Sequence, residues 1–117
     1  MSPAARIGWM VLIVYWAGLF IVSHIPIDRL PIPVKDKTAH FIAYGLLAAG
    51  LYGCLRSSYP RRGLALLVLA FMLVYGAIDE LLQIPVGRSC ELADWFADAA
   101  GAVAALSLAV IINRWLR

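Results

Sequence analysis

The chain has 117 residues, 63% of them hydrophobic and 15% charged, with a formal net charge of +3. Soluble domains carry about 45–50% apolar and roughly 25% charged residues, so the mean hydropathy of +0.85 excludes an ordinary water-soluble domain. It equally excludes a disordered chain, a nucleic-acid binder with a broad basic face and a disulfide-stapled secreted module. A membrane protein remains. At about 20 apolar residues per crossing, the length accommodates four spans with short connections, and 1–117 reads as one all-α transmembrane domain.

The first apolar run covers 7–25, between Arg6 and Asp28, with Tyr15 and Trp16 mid-run and Ser23 and His24 at its end. A cleaved signal peptide has an apolar core of about 7–15 residues and an A-x-A-like end. This run is longer and ends in Ser-His-Ile-Pro, so it reads as a retained span. The remaining spans are predicted at 38–55, 63–83 and 95–113. Pro26, Pro31 and Pro33 mark the first connection as extended, Pro60 falls in the second, and Pro85 with Gly87 ends the third helix, because proline lacks the donor that a helix interior needs.

Alternating spans place Arg6, Arg56, Arg61, Arg62, Arg114 and Arg117 on one side, with no acid beside them. The other side holds Arg29, Lys35, Lys37 and Arg88 against seven acids, giving +6 and −3 across the membrane. Six Lys/Arg against four, under the positive-inside rule, puts both termini in the cytoplasm. Cys54 and Cys90 then lie at opposite ends of the bundle, too far apart for the roughly 4.4–6.8 Å between disulfide Cα atoms.

The polar residues of the spans collect on one side. Asp36, Lys37 and His40 open the second span, Asp79, Glu80 and Gln83 close the third, and Arg88, Glu91, Asp94 and Asp98 lead into the fourth. A charge at the centre of a membrane helix costs on the order of +2.5–3.5 kcal/mol, which makes a shared function the economical reason to keep them. Asp36, His40 and Tyr44 are four apart, and Gly76, Asp79, Glu80 and Gln83 follow the spacing of one helix face. Small residues (Gly45, Ala49 and Gly53; Ala97, Gly101 and Ala105) form stripes of the kind that let membrane helices approach closely or recruit a further helix. A polar pocket open to the outer surface is expected.

Each residue also has a structural reading. His40 serves as a hydrogen-bonded interfacial histidine or, at an unperturbed pKa of about 6.5, as a general base with Asp36 or Asp79. Glu80 solvates a helix end or joins the site. Arg88 balances nearby carboxylates or grips a phosphate with its fork. Asp94 and Asp98 share a proton or hold a cation with Asp79. The carboxylates lack fixed spacing, so no metal and no cofactor is expected. Trp9, Trp95, Trp115 and Tyr59 read as anchors at the membrane interface.

Asp36-Lys37-x-x-His40-Phe41-x-x-Tyr44, Asp79-Glu80-x-x-Gln83, Gly87-Arg88, Asp94 and Gly101 together resemble the VanZ-like integral membrane proteins. The family pattern often carries asparagine where this chain has Asp98. The resemblance implies a four-helix protein of the bacterial cytoplasmic membrane. It also implies a link to teicoplanin resistance, and a phosphotransbutyrylase label attaches to some members. Fold likeness alone assigns neither activity.

Three functions compete. The first is a site at the outer face that binds or modifies a phosphate-bearing lipid or cell-envelope precursor. His40, Asp36 and Asp79 would handle protons there, with Lys37, Tyr44, Glu80, Gln83, Arg88, Asp94 and Asp98 around the ligand. The second is a small proton or cation channel, and the third a structural module that pairs with itself or another membrane helix. The charge asymmetry makes one expectation directly measurable. A single cysteine at Ser57 should be protected from an impermeant thiol reagent in intact cells, whereas one at Ser89 should be labelled. Labelling of position 57 from outside would overturn the orientation.

Overall fold

The computed structural model describes residues 1–23, 37–83 and 92–115. For Ser23, Lys37, Ala39, Gln83 and residues 92–94 the description is confined to the helical backbone. Asp36, Arg88, Cys90 and Glu91 lie outside the described residues. Four helices follow one another: α1 Pro3–Ser23, α2 Lys37–Ser58, α3 Leu64–Gln83 and α4 Leu92–Trp115. There is no strand among the described residues. This is the all-α four-helix arrangement expected from the apolar runs, and each helix begins or ends within a few residues of its run.

The differences at the ends have local causes. Ser2 caps α1 by accepting the Ala5 amide on its hydroxyl at 3.1 Å. Pro3 stands in the first helical position, where a missing donor costs nothing. The helix therefore starts before the apolar run does. α2 runs on to Ser58, whose hydroxyl accepts the Trp9 indole N–H from α1 at 2.8 Å. The turn into α3 needs Gly63, which has φ +77° and whose carbonyl accepts the Leu67 amide at 3.0 Å. A side chain is strained in that left-handed conformation.

Helices of 20–24 residues are roughly 30–36 Å long at ~1.5 Å per residue. That matches a hydrocarbon core of about 30 Å. Three of them, over Pro3–Val22, Leu64–Leu82 and Trp95–Trp115, are long and apolar enough to cross a membrane. α2 is the exception, and its position explains why. It packs against all three other helices, most extensively against α4, so much of its surface meets protein rather than lipid. It is free to carry His40, two buried tyrosines (Tyr44 and Tyr52) and several glycines.

The surface reverses the soluble pattern. Ile7, Met10 and Val14 of α1, Leu66, Val74 and Leu81 of α3, and Leu108 and Ile111 of α4 are exposed. Asp79, Glu80 and Asp98 are buried. An aqueous protein would place these sets the other way round. Beneath the apolar coat, Leu12, Leu47, Leu51, Val68, Met72, Ala102 and Leu106 form the core.

α2 and α4 run in the same direction and touch backbone to backbone. A methyl group at Gly101 would fall on the Phe41 carbonyl, and one at Gly45 would lie 3.1 Å from the Gly101 oxygen. Gly45, Gly101 and Ala105 of the small-residue stripes thus form the crossing point, whereas Gly53 has open space around it. His40 lies just before this crossing on α2, and Asp98 just before it on α4.

Gly101→Ala should therefore destabilise the bundle by about 1–3 kcal/mol, the usual cost of overpacking. Gly18 of α1 has open space around it. Gly18→Ala should leave stability unchanged or raise it by up to about 1 kcal/mol, the helix-propensity gain. Thermal unfolding in detergent compares the two. Equal stability of Gly101→Ala and the wild type would contradict the close crossing.

Candidate functional site

Three helices bring their polar residues to one end of the bundle. α2 contributes His40 and Tyr44 from its first two turns. α3 contributes Asp79 and Glu80 from its last two. α4 contributes Asp98 from its second turn. Antiparallel neighbours bring the end of α3 beside the start of α4. The Gly45–Gly101 crossing brings the start of α2 there as well.

The contacts are specific. His40 Nδ1 lies 2.9 Å from Asp98 Oδ1; with a proton on that nitrogen, the imidazole donates to the carboxylate. Tyr44 donates its hydroxyl to Asp79 Oδ2 at 2.6 Å. The His40 and Tyr44 rings lie nearly parallel, with centroids 6.4 Å apart. Asp79, Glu80 and Asp98 are 2%, 3% and 3% exposed, whereas the His40 side chain keeps 12%. The histidine is thus more accessible than the three acids it joins.

Aromatic packing holds these groups from behind. Tyr75, one turn before Asp79 on α3, lies 6.1 Å from the Tyr44 ring. It also receives the edge of Trp16 from α1 at 5.3 Å. Trp95 donates its indole N–H to the Leu73 carbonyl at 2.9 Å. Its ring lies against Gly76, where an added methyl would sit 3.4 Å away. Trp95 is therefore a clamp between α3 and α4, at the first residue of the apolar span Trp95–Trp115. Trp115 and Tyr59 are exposed at helix ends.

Of the residues singled out in the sequence, His40, Tyr44, Asp79, Glu80 and Asp98 converge. Lys37, Gln83 and Asp94 belong to the same helical ends, with their side chains outside the description. Asp36 and Arg88 lie outside the described residues altogether. Two readings are now narrower. Glu80 is buried and so does not solvate a helix end. His40 has Asp98 as a partner, while Asp79 is bonded to Tyr44. Tyr75 is an addition, and the spacing Tyr75–Asp79 on one helix face was the signal for it.

One imidazole nitrogen and two carboxylate oxygens, from His40, Glu80 and Asp98, all lie within 4.8 Å of one another. Chemically, the end of the bundle offers a proton carrier, hydrogen-bonded acids and a set of oxygen and nitrogen donors in a low-dielectric setting. The VanZ/LLP1 family model matches residues 7–113, which include all four helices nearly end to end. The chain belongs to the VanZ/LLP1 family. No curated protein and no solved structure matches it. Family membership and the apolar exterior make it a VanZ-like membrane protein, and the converging acids are the candidate site of this VanZ/LLP1 chain.

Proposed function

We propose that this VanZ/LLP1 protein crosses the bacterial cytoplasmic membrane four times with both termini inside. Its acidic end then binds, or acts on, a phosphate-bearing lipid or lipid-linked envelope precursor at the outer face. The observation that carries this reading is a buried polar cluster, His40, Tyr44, Asp79, Glu80 and Asp98, gathered at one end of an apolar-coated bundle that also carries an apolar groove. The groove runs between α2 and α4, has a volume of about 400 Å³, and is lined by Phe41, Gly45, Gly101, Ala105, Leu108 and Ile112. Phe41 directly follows His40, and Gly101 lies one turn beyond Asp98. A headgroup at the cluster would leave its acyl or prenyl chain along the apolar exterior of the bundle, matching polar to polar and apolar to apolar.

Arg88 and Lys37 are assigned the phosphate. A guanidinium meets a phosphate at two points, and both residues border the described cluster in sequence. His40 is the proton carrier, with Asp98 orienting its ring. Away from the cluster, the core is made of Leu47, Leu51, Val68, Met72 and Leu106, which favours binding at one end over conduction through the bundle.

Native mass spectrometry of the protein released from nanodiscs tests this. Phosphatidylglycerol or a polyprenyl phosphate should be retained in preference to diacylglycerol. Arg88→Lys should insert and fold but retain the phosphate-bearing lipid about tenfold less, because lysine keeps the charge and loses the fork. Equal retention of diacylglycerol would overturn the phosphate assignment. Equal performance of Arg88→Lys would reduce Arg88 to charge balance.

A further inference from the structure

We propose that His40, Glu80 and Asp98 form a binding site for a divalent transition-metal cation. Each of the three comes from a different helix, and their ligand atoms lie within 4.8 Å of one another. Bonds from such an ion to histidine nitrogen and carboxylate oxygen are about 2.0–2.2 Å. Neighbouring donors on one tetrahedral ion therefore lie about 3.4 Å apart, so closure around it draws the widest pair together by up to about 1.4 Å, within reach of a change in side-chain torsions.

Burial and charge favour the same ligand. Glu80 and Asp98 are each 3% exposed, in a bundle whose outside is apolar. A neutral imidazole, two carboxylates and a doubly charged cation sum to zero, which is the arrangement a low-dielectric site favours. An ion pair of His40 with Asp98 accounts for their 2.9 Å contact. Glu80 converges on the same point from α3. The mixed nitrogen and oxygen donor set suits manganese, iron or zinc better than a thiolate-seeking metal.

The site goes beyond the lipid reading and does not depend on phosphate binding; with the ion bound His40 and Asp98 are its ligands, and His40 carries a proton only in the metal-free protein. Three protein donors leave coordination positions open. A cation there would offer them to a phosphate oxygen, so that an end rich in carboxylates accepts an anion.

Tag-free full-length protein in nanodiscs, stripped with chelator and titrated with Mn²⁺ alone, tests the proposal without any lipid ligand. Electron paramagnetic resonance should show one equivalent of bound ion with nitrogen coupling from an imidazole. The chain has two histidines, so His24→Gln should keep the nitrogen coupling and His40→Gln should lose it. Glu80→Gln, nearly isosteric, should weaken binding at least tenfold. Should His40→Gln fail to fold, nitrogen coupling that survives in His24→Gln still assigns the ligand to His40. Absence of saturable binding by the wild type, nitrogen coupling that disappears with His24, or unchanged affinity in a folded Glu80→Gln would each overturn the site. Lipid retention that fails while Mn²⁺ binds would leave the cation site standing and sink only the lipid reading.

Discussion

The fold is organised around the cost of keeping acidic side chains inside an apolar-coated bundle. Asp79, Glu80 and Asp98 are nearly inaccessible, and a buried polar group is tolerated only where its hydrogen-bonding needs are met. Partners on other helices meet part of that need here. Tyr44 reaches from α2 to Asp79 on α3, and His40 reaches from α2 to Asp98 on α4. Each bond is thus also a tie between helices. Lipid tails are as apolar as leucine, so helices in a membrane gain little from hydrophobic contact with one another. Directional bonds and close packing carry the association, and this chain places both at the same end.

Packing and polarity depend on each other through α2. The glycines at 45 and 101 let α2 and α4 approach until backbone meets backbone. Only that approach brings His40 within reach of Asp98. Gly76 does the equivalent on α3 by making room for Trp95, which ties α4 to the Leu73 carbonyl. A larger residue at Gly101 would separate His40 from Asp98. The modest apolarity of α2 follows as well: a helix surrounded by three others has less lipid to satisfy.

Much of this was legible in the sequence. Long apolar runs located all four helices, because a membrane span needs a fixed length of apolar side chains. Helical spacing put Gly76, Asp79 and Glu80 on one face and marked Gly45 and Gly101 as points of close approach. Pairing was less legible. His40 and Asp98 are 58 residues apart, and spacing along one helix says nothing about which residue of another helix it meets. The sequence left both Asp36 and Asp79 open for that role, and Asp36 lies outside the described residues. Trp95 shows the same limit, since an indole at a span end suits a lipid interface as well as a neighbouring carbonyl. Tyr75 sits within an apolar run, where only its place one turn before Asp79 aligns it with the site.

The central claim is that acids and their partners on different helices stabilise the bundle together. A double-mutant cycle on Tyr44→Phe and Asp79→Asn, read from reversible unfolding in bicelles, measures it most directly. Side-chain hydrogen bonds between membrane helices average about 0.6 kcal/mol and reach about 1.7. A buried 2.6 Å bond to a carboxylate belongs at the upper end, so the expected coupling is about 1–2 kcal/mol. Single-mutant effects that add to within about 0.3 kcal/mol would show the two residues to be independent, and would contradict the claim.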